Sequence, residues 1–182
     1  MPAGKTYTPL ARTTLSSAAA NVEFTSISGS YTDLILVASV RADTTTYNNM
    51  NFPIVQFNND TGNNYSNTTL YSRNDSGSWS ALSARSSNTN GINSGGIATT
   101  SFGSNIFSTY MFNAMNYSNT TTYKTALARV GTGGDLTNMD GPSANAGLWR
   151  NTNAITSLKV LASSSGNFAV GSTFTLYGIA AA

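Results

Sequence analysis

Between clusters of Gly, Asn and Ser, this sequence returns repeatedly to period-two alternation, with β-branched and aromatic residues enriched in the alternating stretches. Helical periodicity is not sustained anywhere, so the chain is expected to fold as sheet. Strands are predicted at residues 22–27, 34–41, 54–58, 69–72, 106–117, 123–130, 155–162 and 173–179, with shorter ones at 7–15 and 147–150. That number of strands in 182 residues suits an all-β fold: a two-sheet antiparallel sandwich, jelly-roll-like. Residues 1–20 are expected to form an N-terminal arm or first edge strand. Residues 21–182 then form a single β-sandwich domain, with a long loop region at about 72–105, where Ser, Asn and Gly dominate and Trp79, Leu82, Ile92 and Ile97 are isolated anchors.

Two segments break the in/out pattern. Leu34-Ile35-Leu36-Val37-Ala38-Ser39-Val40 is apolar on both alternating faces, and Phe174, Leu176 and Gly178 oppose Thr175, Tyr177 and Ile179 in the C-terminal strand. A strand of that kind needs cover on each face, supplied either by a partner chain or by a long connection of the same chain. The Gly-rich stretch 131–147, with Gly133-Gly134-Asp135 and Asp140-Gly141-Pro142, reads as turns. Asn58 to Asn64 reads as a hairpin turn between Phe57 and Tyr65.

Ser, Thr and Asn make up 73 of the 182 residues and charged residues only 9%. The chain has no His and no Cys, which removes imidazole acid/base chemistry, thiolate chemistry and the commonest transition-metal ligands. Its nine Lys and Arg are scattered singly, whereas nucleic-acid binding requires a basic patch or stripe, so no nucleic-acid partner is expected. The longest aliphatic run, Leu34 to Ala38, is far shorter than a membrane span, and no apolar leader follows the first residues, so neither a membrane partner nor secretory export is expected.

Catalytic constellations are equally sparse. The acids are Glu23, Asp33, Asp43, Asp60, Asp75, Asp135 and Asp140, most of them beside turn residues, where Asx-turn roles account for Asp60, Asp75 and Asp140. Asp135 with Asp140 is the acid pair closest to a hydrolytic couple. A Ser/Lys dyad would draw on Lys5, Lys124 or Lys159, of which the latter two are expected to point into solvent. The Asn58–Asn64 loop has one carboxylate and lacks the bidentate Glu of an EF-hand. No catalytic residue, metal ligand or cofactor is assigned. Trp79, in Ser76-Gly77-Ser78-Trp79-Ser80, is the candidate for stacking on a sugar ring, although an isolated loop Trp more often plugs the end of a sandwich or a subunit contact.

Four segments taken together carry a resemblance. They are Tyr7-Thr8-Pro9-Leu10-Ala11-Arg12 running into Phe24-Thr25-Ser26-Ile27 and Tyr31-Thr32-Asp33-Leu34-Ile35-Leu36-Val37; Phe57-Asn58-Asn59-Asp60-Thr61-Gly62-Asn63-Asn64-Tyr65-Ser66; Asn116-Tyr117-Ser118-Asn119-Thr120-Thr121-Thr122-Tyr123-Lys124-Thr125; and Gly147-Leu148-Trp149-Arg150 through Gly166-Asn167-Phe168 to Phe174-Thr175-Leu176-Tyr177-Gly178-Ile179. As a set they resemble small virion proteins of tailed bacteriophages, including cyanophages, over most of the chain outside about 72–105. The resemblance implies a non-enzymatic structural protein, made in the host cytoplasm and carried on the virion. On the outer head surface it would be a jelly-roll cement or decoration protein binding the major capsid protein, as a homotrimer. As an alternative, it would be a tail-fibre or receptor-binding module that recognises host glycans, with Trp79 as the glycan contact. Under the first expectation Tyr7, Leu10 and Arg12 reach a neighbour, and Trp149 and Arg150 lie at a subunit boundary. The competing reading of the last two is a core Trp under an Arg stem.

Overall fold

The structure is a computed structural model that describes residues 6–44, 50–103, 105–133, 139–163 and 166–180. Its strands are β1 (Tyr7–Thr14), β2 (Asn21–Phe24), β3 (Asp33–Val40), β4 (Ile54–Phe57), β5 (Tyr65–Asp75), β6 (Ser78–Thr89), β7 (Ile92–Asn93), β8 (Ser108–Met115), β9 (Lys124–Gly131), β10 (Met139–Trp149), β11 (Leu158–Leu161) and β12 (Thr173–Ile179). They form an eight-stranded sheet in the order β1-β12-β3-β8-β9-β10-β5-β6 and a four-stranded sheet in the order β2-β11-β4-β7. Every ladder between named strands is antiparallel. The chain is therefore an all-β, two-sheet sandwich, as the alternation requires.

Alternation assigns the faces. On β3, Leu34, Leu36, Ala38 and Val40 are buried, and on β12 so are Phe174 and Leu176. Between the sheets they meet Phe24, Val55, Phe57, Leu158 and Val160 of the smaller sheet in one continuous core. Phe57, Tyr65, Phe112 and Trp149 form its aromatic centre, with Phe57 and Trp149 centroids 5.5 Å apart and Tyr65 stacked on Trp149 at 6.1 Å. Ring pairs at such spacings add to the energy of burial.

Three expectations are corrected. The region 72–105 is not mainly loop: β5 and β6 pair from Asp75↔Ser78 to Tyr65↔Thr89, making the longest hairpin of the fold. Along β6 most residues are small or polar and both faces are exposed, so period-two hydrophobicity, the signal that marks a half-buried strand, is lost. Asp140-Gly141-Pro142 lies within β10, where the register against β5 shifts between Asp140 and Ser143, so an irregular strand replaces the expected turn. Asn58–Asn64 is not a hairpin turn either, because it carries the chain from β4 in one sheet to β5 in the other. Asp135, Gly134 and Lys5 lie outside the described residues.

Candidate functional site

The outward face of the eight-stranded sheet is open. Register aligns Val37, Met111, Arg129, Ala144, Leu70 and Ser83 in one row across six strands. The adjacent row is Ile35, Asn113, Leu127, Ala146, Thr68 and Arg85. Leu70 is 61% exposed and Leu127 51%, whereas the intervening positions Leu36, Phe112 and Ala128 are buried in the core. The double apolar character of Leu34–Val40 is met in part within the chain: on the outward face Ile35 is covered, whereas Val37 remains exposed. A shallow trough of about 750 Å³ runs along this end of the sheet, with Leu70, Ala81, Pro142, Ala144 and Arg129 among its lining residues. Arg12, Arg85 and Arg129 are exposed cations on the same sheet.

Trp79 lies at the rim of the trough, 57% exposed. Its indole crosses over Gly141: a Cβ there would approach the ring to 2.6 Å, so only glycine lets the ring lie this low over β10. On the opposite face, a polar cleft of about 210 Å³ opens between the β5–β6 hairpin and residues 93–95, lined by Asn67, Thr69, Tyr71, Arg73, Ser86 and Asn93. Asn145 beside it donates to Thr69 Oγ1 and the Asn93 carbonyl, both at 2.6 Å.

The residues named from sequence fall in two separate places. Tyr7, Leu10 and Arg12 share β1, an edge strand laid along β12 of the same chain with Tyr7 opposite Ile179 and Arg12 opposite Thr175. Tyr7 is exposed and meets Tyr177 edge-on at 6.3 Å, while Leu10 packs half-buried against the core. Trp149 and Arg150 sit five strands away, at the end of β10. Trp149 has no exposed surface and donates its indole N–H to Asp60 Oδ2 at 2.8 Å. A fully buried ring has nothing to offer a neighbour, so the subunit-boundary reading of Trp149 is corrected to the core reading. Arg150 is half-buried and clamps the β4–β5 connection by donating to Ser66 Oγ, the Asn63 and Tyr65 carbonyls and Asn88 Oδ1.

Asp60 is the hub of that connection. Its carboxylate accepts from the Gly62 N–H at 2.9 Å, from Asn64 Nδ2 at 2.9 Å and from Trp149. Burial pushes its pKa up, but the hydrogen bonds from Trp149, Asn64, Gly62 and Asn151 outweigh that and hold it below the usual carboxylate value. Its acceptor positions are occupied by N–H donors, which explains the Asn-rich loop without a cation. Among the described residues no group of three or more His, Cys, Asp or Glu could hold a metal ion.

Lys124, expected in solvent, is instead buried, with Nζ donating to the carbonyls of Thr122 at 2.8 Å and Thr152 at 3.0 Å. Burial pushes its pKa down. Lys159 is half-exposed and paired with Glu23 at 3.3 Å. The open sheet face could have been found by sorting each predicted strand into alternate faces, because Val37, Leu70 and Leu127 occupy the outward set.

The fold and these surfaces define an antiparallel β-sandwich with one broad uncovered sheet. Comparisons with protein families, curated proteins and solved structures found no match.

Proposed function

We propose that this chain is a structural virion protein of a tailed bacteriophage, a cement or decoration protein seated on the outer head surface against the major capsid protein. The observation that carries the reading is the open face of the eight-stranded sheet, where a row from Val37 to Leu70 is apolar except for the exposed Arg129 at its middle, mounted on a two-layer core. A protein that works by occupying a surface needs shape, rigidity and repeated copies rather than a titrating group, and with no His the chain has no side chain whose ordinary pKa lies near neutrality. A closed homotrimer over a threefold position multiplies weak contacts through effective concentration. Tyr7 and Arg12 on the β1 edge are the described candidates for contacts with a neighbour.

Quantifying the protein in purified particles tests this directly, with hundreds of copies per virion expected. Stripped heads should rebind it with little dependence on salt or on pH between about 5 and 8. A handful of copies, or release by moderate salt alone, overturns the head assignment. The exposed ring of Trp79 beside the trough supports a second reading, a tail-fibre or receptor-binding module for host glycans. Saturable binding on a glycan array, abolished by Trp79→Ala, would favour it.

A further inference from the structure

The two edges of the eight-stranded sheet differ in kind. At one edge, β1 carries Pro9, which has no N–H to offer, a register shift between Pro9 and Ala11, and the charge of Arg12. These are the devices by which proteins prevent a sheet edge from pairing with another strand. At the other edge, β6 carries one charge and, near its C-terminal end, a register shift at Asn88, but its first ten residues have neither Pro nor irregularity. Its sequence is Ser-Trp-Ser-Ala-Leu-Ser-Ala-Arg-Ser-Ser-Asn-Thr, with no Pro and no Gly, and its register with β5 is unbroken from Asp75↔Ser78 to Ser66↔Ser87. Apart from the half-buried Ser86 and Thr89, it is exposed along its whole length. In an antiparallel ladder alternate residues turn N–H and C=O away from the neighbouring strand, so β6 presents a regular, unguarded row of donors and acceptors.

We propose that β6 is a self-association edge that pairs antiparallel with β6 of a second copy about a two-fold axis through Leu82, joining two eight-stranded sheets into one. The side chains choose this occupant and this register. Trp79, Ala81, Ser83 and Arg85 alternate onto the outer face with Leu70, while Leu82 lies on the other face with its partner Tyr71. A two-fold axis perpendicular to the sheet keeps each residue on its own face, so paired residues must have the same parity. Centring on Leu82 places Trp79 of each copy opposite Arg85 of the other, giving a cation over an aromatic ring at both flanks. It also brings the two Leu82 side chains together, removing from water two of the large apolar groups that β6 exposes. Arg85, the single charge of the strand, never meets its own copy in this register, and the short Ser and Ala side chains between allow close approach. The inference does not depend on the virion reading. A two-fold contact gives an even number of chains whether it acts alone or between cyclic trimers.

The chain contains no Cys, so a single introduced thiol reports its own position without interference. In the full-length protein, Leu82→Cys should oxidise readily to a disulfide-linked dimer, because residues at the centre of such a pairing have Cα atoms within disulfide range. Ser78→Cys and Thr89→Cys, displaced from the axis, should not. Light scattering over a dilution series should show even-numbered particles. Trp79→Ala and Arg85→Ala should each raise the dissociation constant about tenfold, because each breaks both symmetry-related pairs, and the double variant should be less than additive. Both side chains are exposed, and an unchanged circular dichroism spectrum checks the fold of each variant. A strictly monomeric or purely trimeric wild type, crosslinking no greater at Leu82 than at the strand ends, or an association constant unmoved by both alanine variants overturns the proposal. A purely trimeric wild type, or crosslinking no greater at Leu82, leaves the cement reading standing, and copy number tests that reading separately.

Discussion

Replacing Asp60 should reveal how strongly the inter-sheet connection is fixed by one carboxylate. In Asp60→Ala, the Trp149 indole N–H loses its acceptor inside a ring with no exposed surface, and an unsatisfied buried donor of this kind costs about 1–3 kcal/mol. Loss of the bonds from Gly62 N and Asn64 Nδ2, which water partly replaces, adds about 1 kcal/mol. The total of about 3 kcal/mol lowers the melting temperature by about 6–12 °C for a chain of this size. Asp60→Asn should fall between, at about 1–2 kcal/mol, because its single carbonyl oxygen can face either Trp149 or the Gly62 and Asn64 donors, leaving an N–H directed at the other. The charge also makes a pH prediction. Since the folded pKa lies below the ordinary aspartate value of 3.8, the carboxylate's contribution is fully present above the unfolded pKa and is lost as pH falls through the folded value. Asp60→Asn should therefore flatten the acid limb of the stability curve. Thermal and urea unfolding followed by tryptophan fluorescence and circular dichroism measure all three proteins. Asp60→Ala melting within about 1 °C of wild type, or Asn costing as much as Ala, would refute the reasoning.

Tyr65, Tyr110 and Tyr117 are each pushed up by burial from the ordinary tyrosine value of 10.0. Their stabilisation is complete below pH 10.0 and drains away as pH climbs toward the folded values, so the chain should unfold in strong alkali, with a step in tyrosinate absorbance from these three rings accompanying loss of sheet signal. Gly178→Ala should cost about 1–3 kcal/mol in chemical unfolding, because a Cβ there lies 2.5 Å from the Tyr31 ring and the ring must move. Trp79→Ala, by contrast, removes an exposed ring that packs over Gly141, and should change stability by no more than about 0.5 kcal/mol in the same assay.

Strands are legible in the sequence where the buried face is apolar, and illegible where it is polar, as in β10 with Ser143 and Asn145, or where neither face is buried. β12 spans the predicted residues 173–179 because Phe174 and Leu176 alternate with residues of the other face. β6 leaves no periodic trace: its alternating sets, Trp79-Ala81-Ser83-Arg85 and Ser78-Ser80-Leu82-Ala84, are nearly equal in polarity, since neither lies under the second sheet. The site is legible to the same extent. The apolar excess of Leu34–Val40 points to a face needing cover, and on that face Ile35 is covered within the chain while Val37 is left exposed. The burial of Lys124 is not legible, and for Trp149 the sequence offers a core reading without deciding for it, because each depends on a partner remote in sequence: the Thr152 carbonyl for the ammonium, and Asp60 for the indole.

The unusual composition has a mechanical reading. Asn58 Oδ1 accepts from the N–H groups of Thr156 and Ser157, Asn119 Oδ1 accepts from those of Thr121 and Thr122, Asn51 exchanges bonds with Ser163, and Asp43 receives two bonds from Asn167. Short polar side chains thus fasten connections between strands, a task for which Asn, Ser and Thr compete well with backbone. Such bonds are mostly neutral and made at contact distance, so salt screens them little. A surface assembled this way has few charges with which to choose a partner, and those on the outer sheet, Arg12, Arg85 and Arg129, are spread among apolar residues. Recognition by that face must therefore rest on its contour and on which neighbouring surface can place an acid or an aromatic ring over an arginine. A flat apolar surface without such groups should bind it without a fixed register.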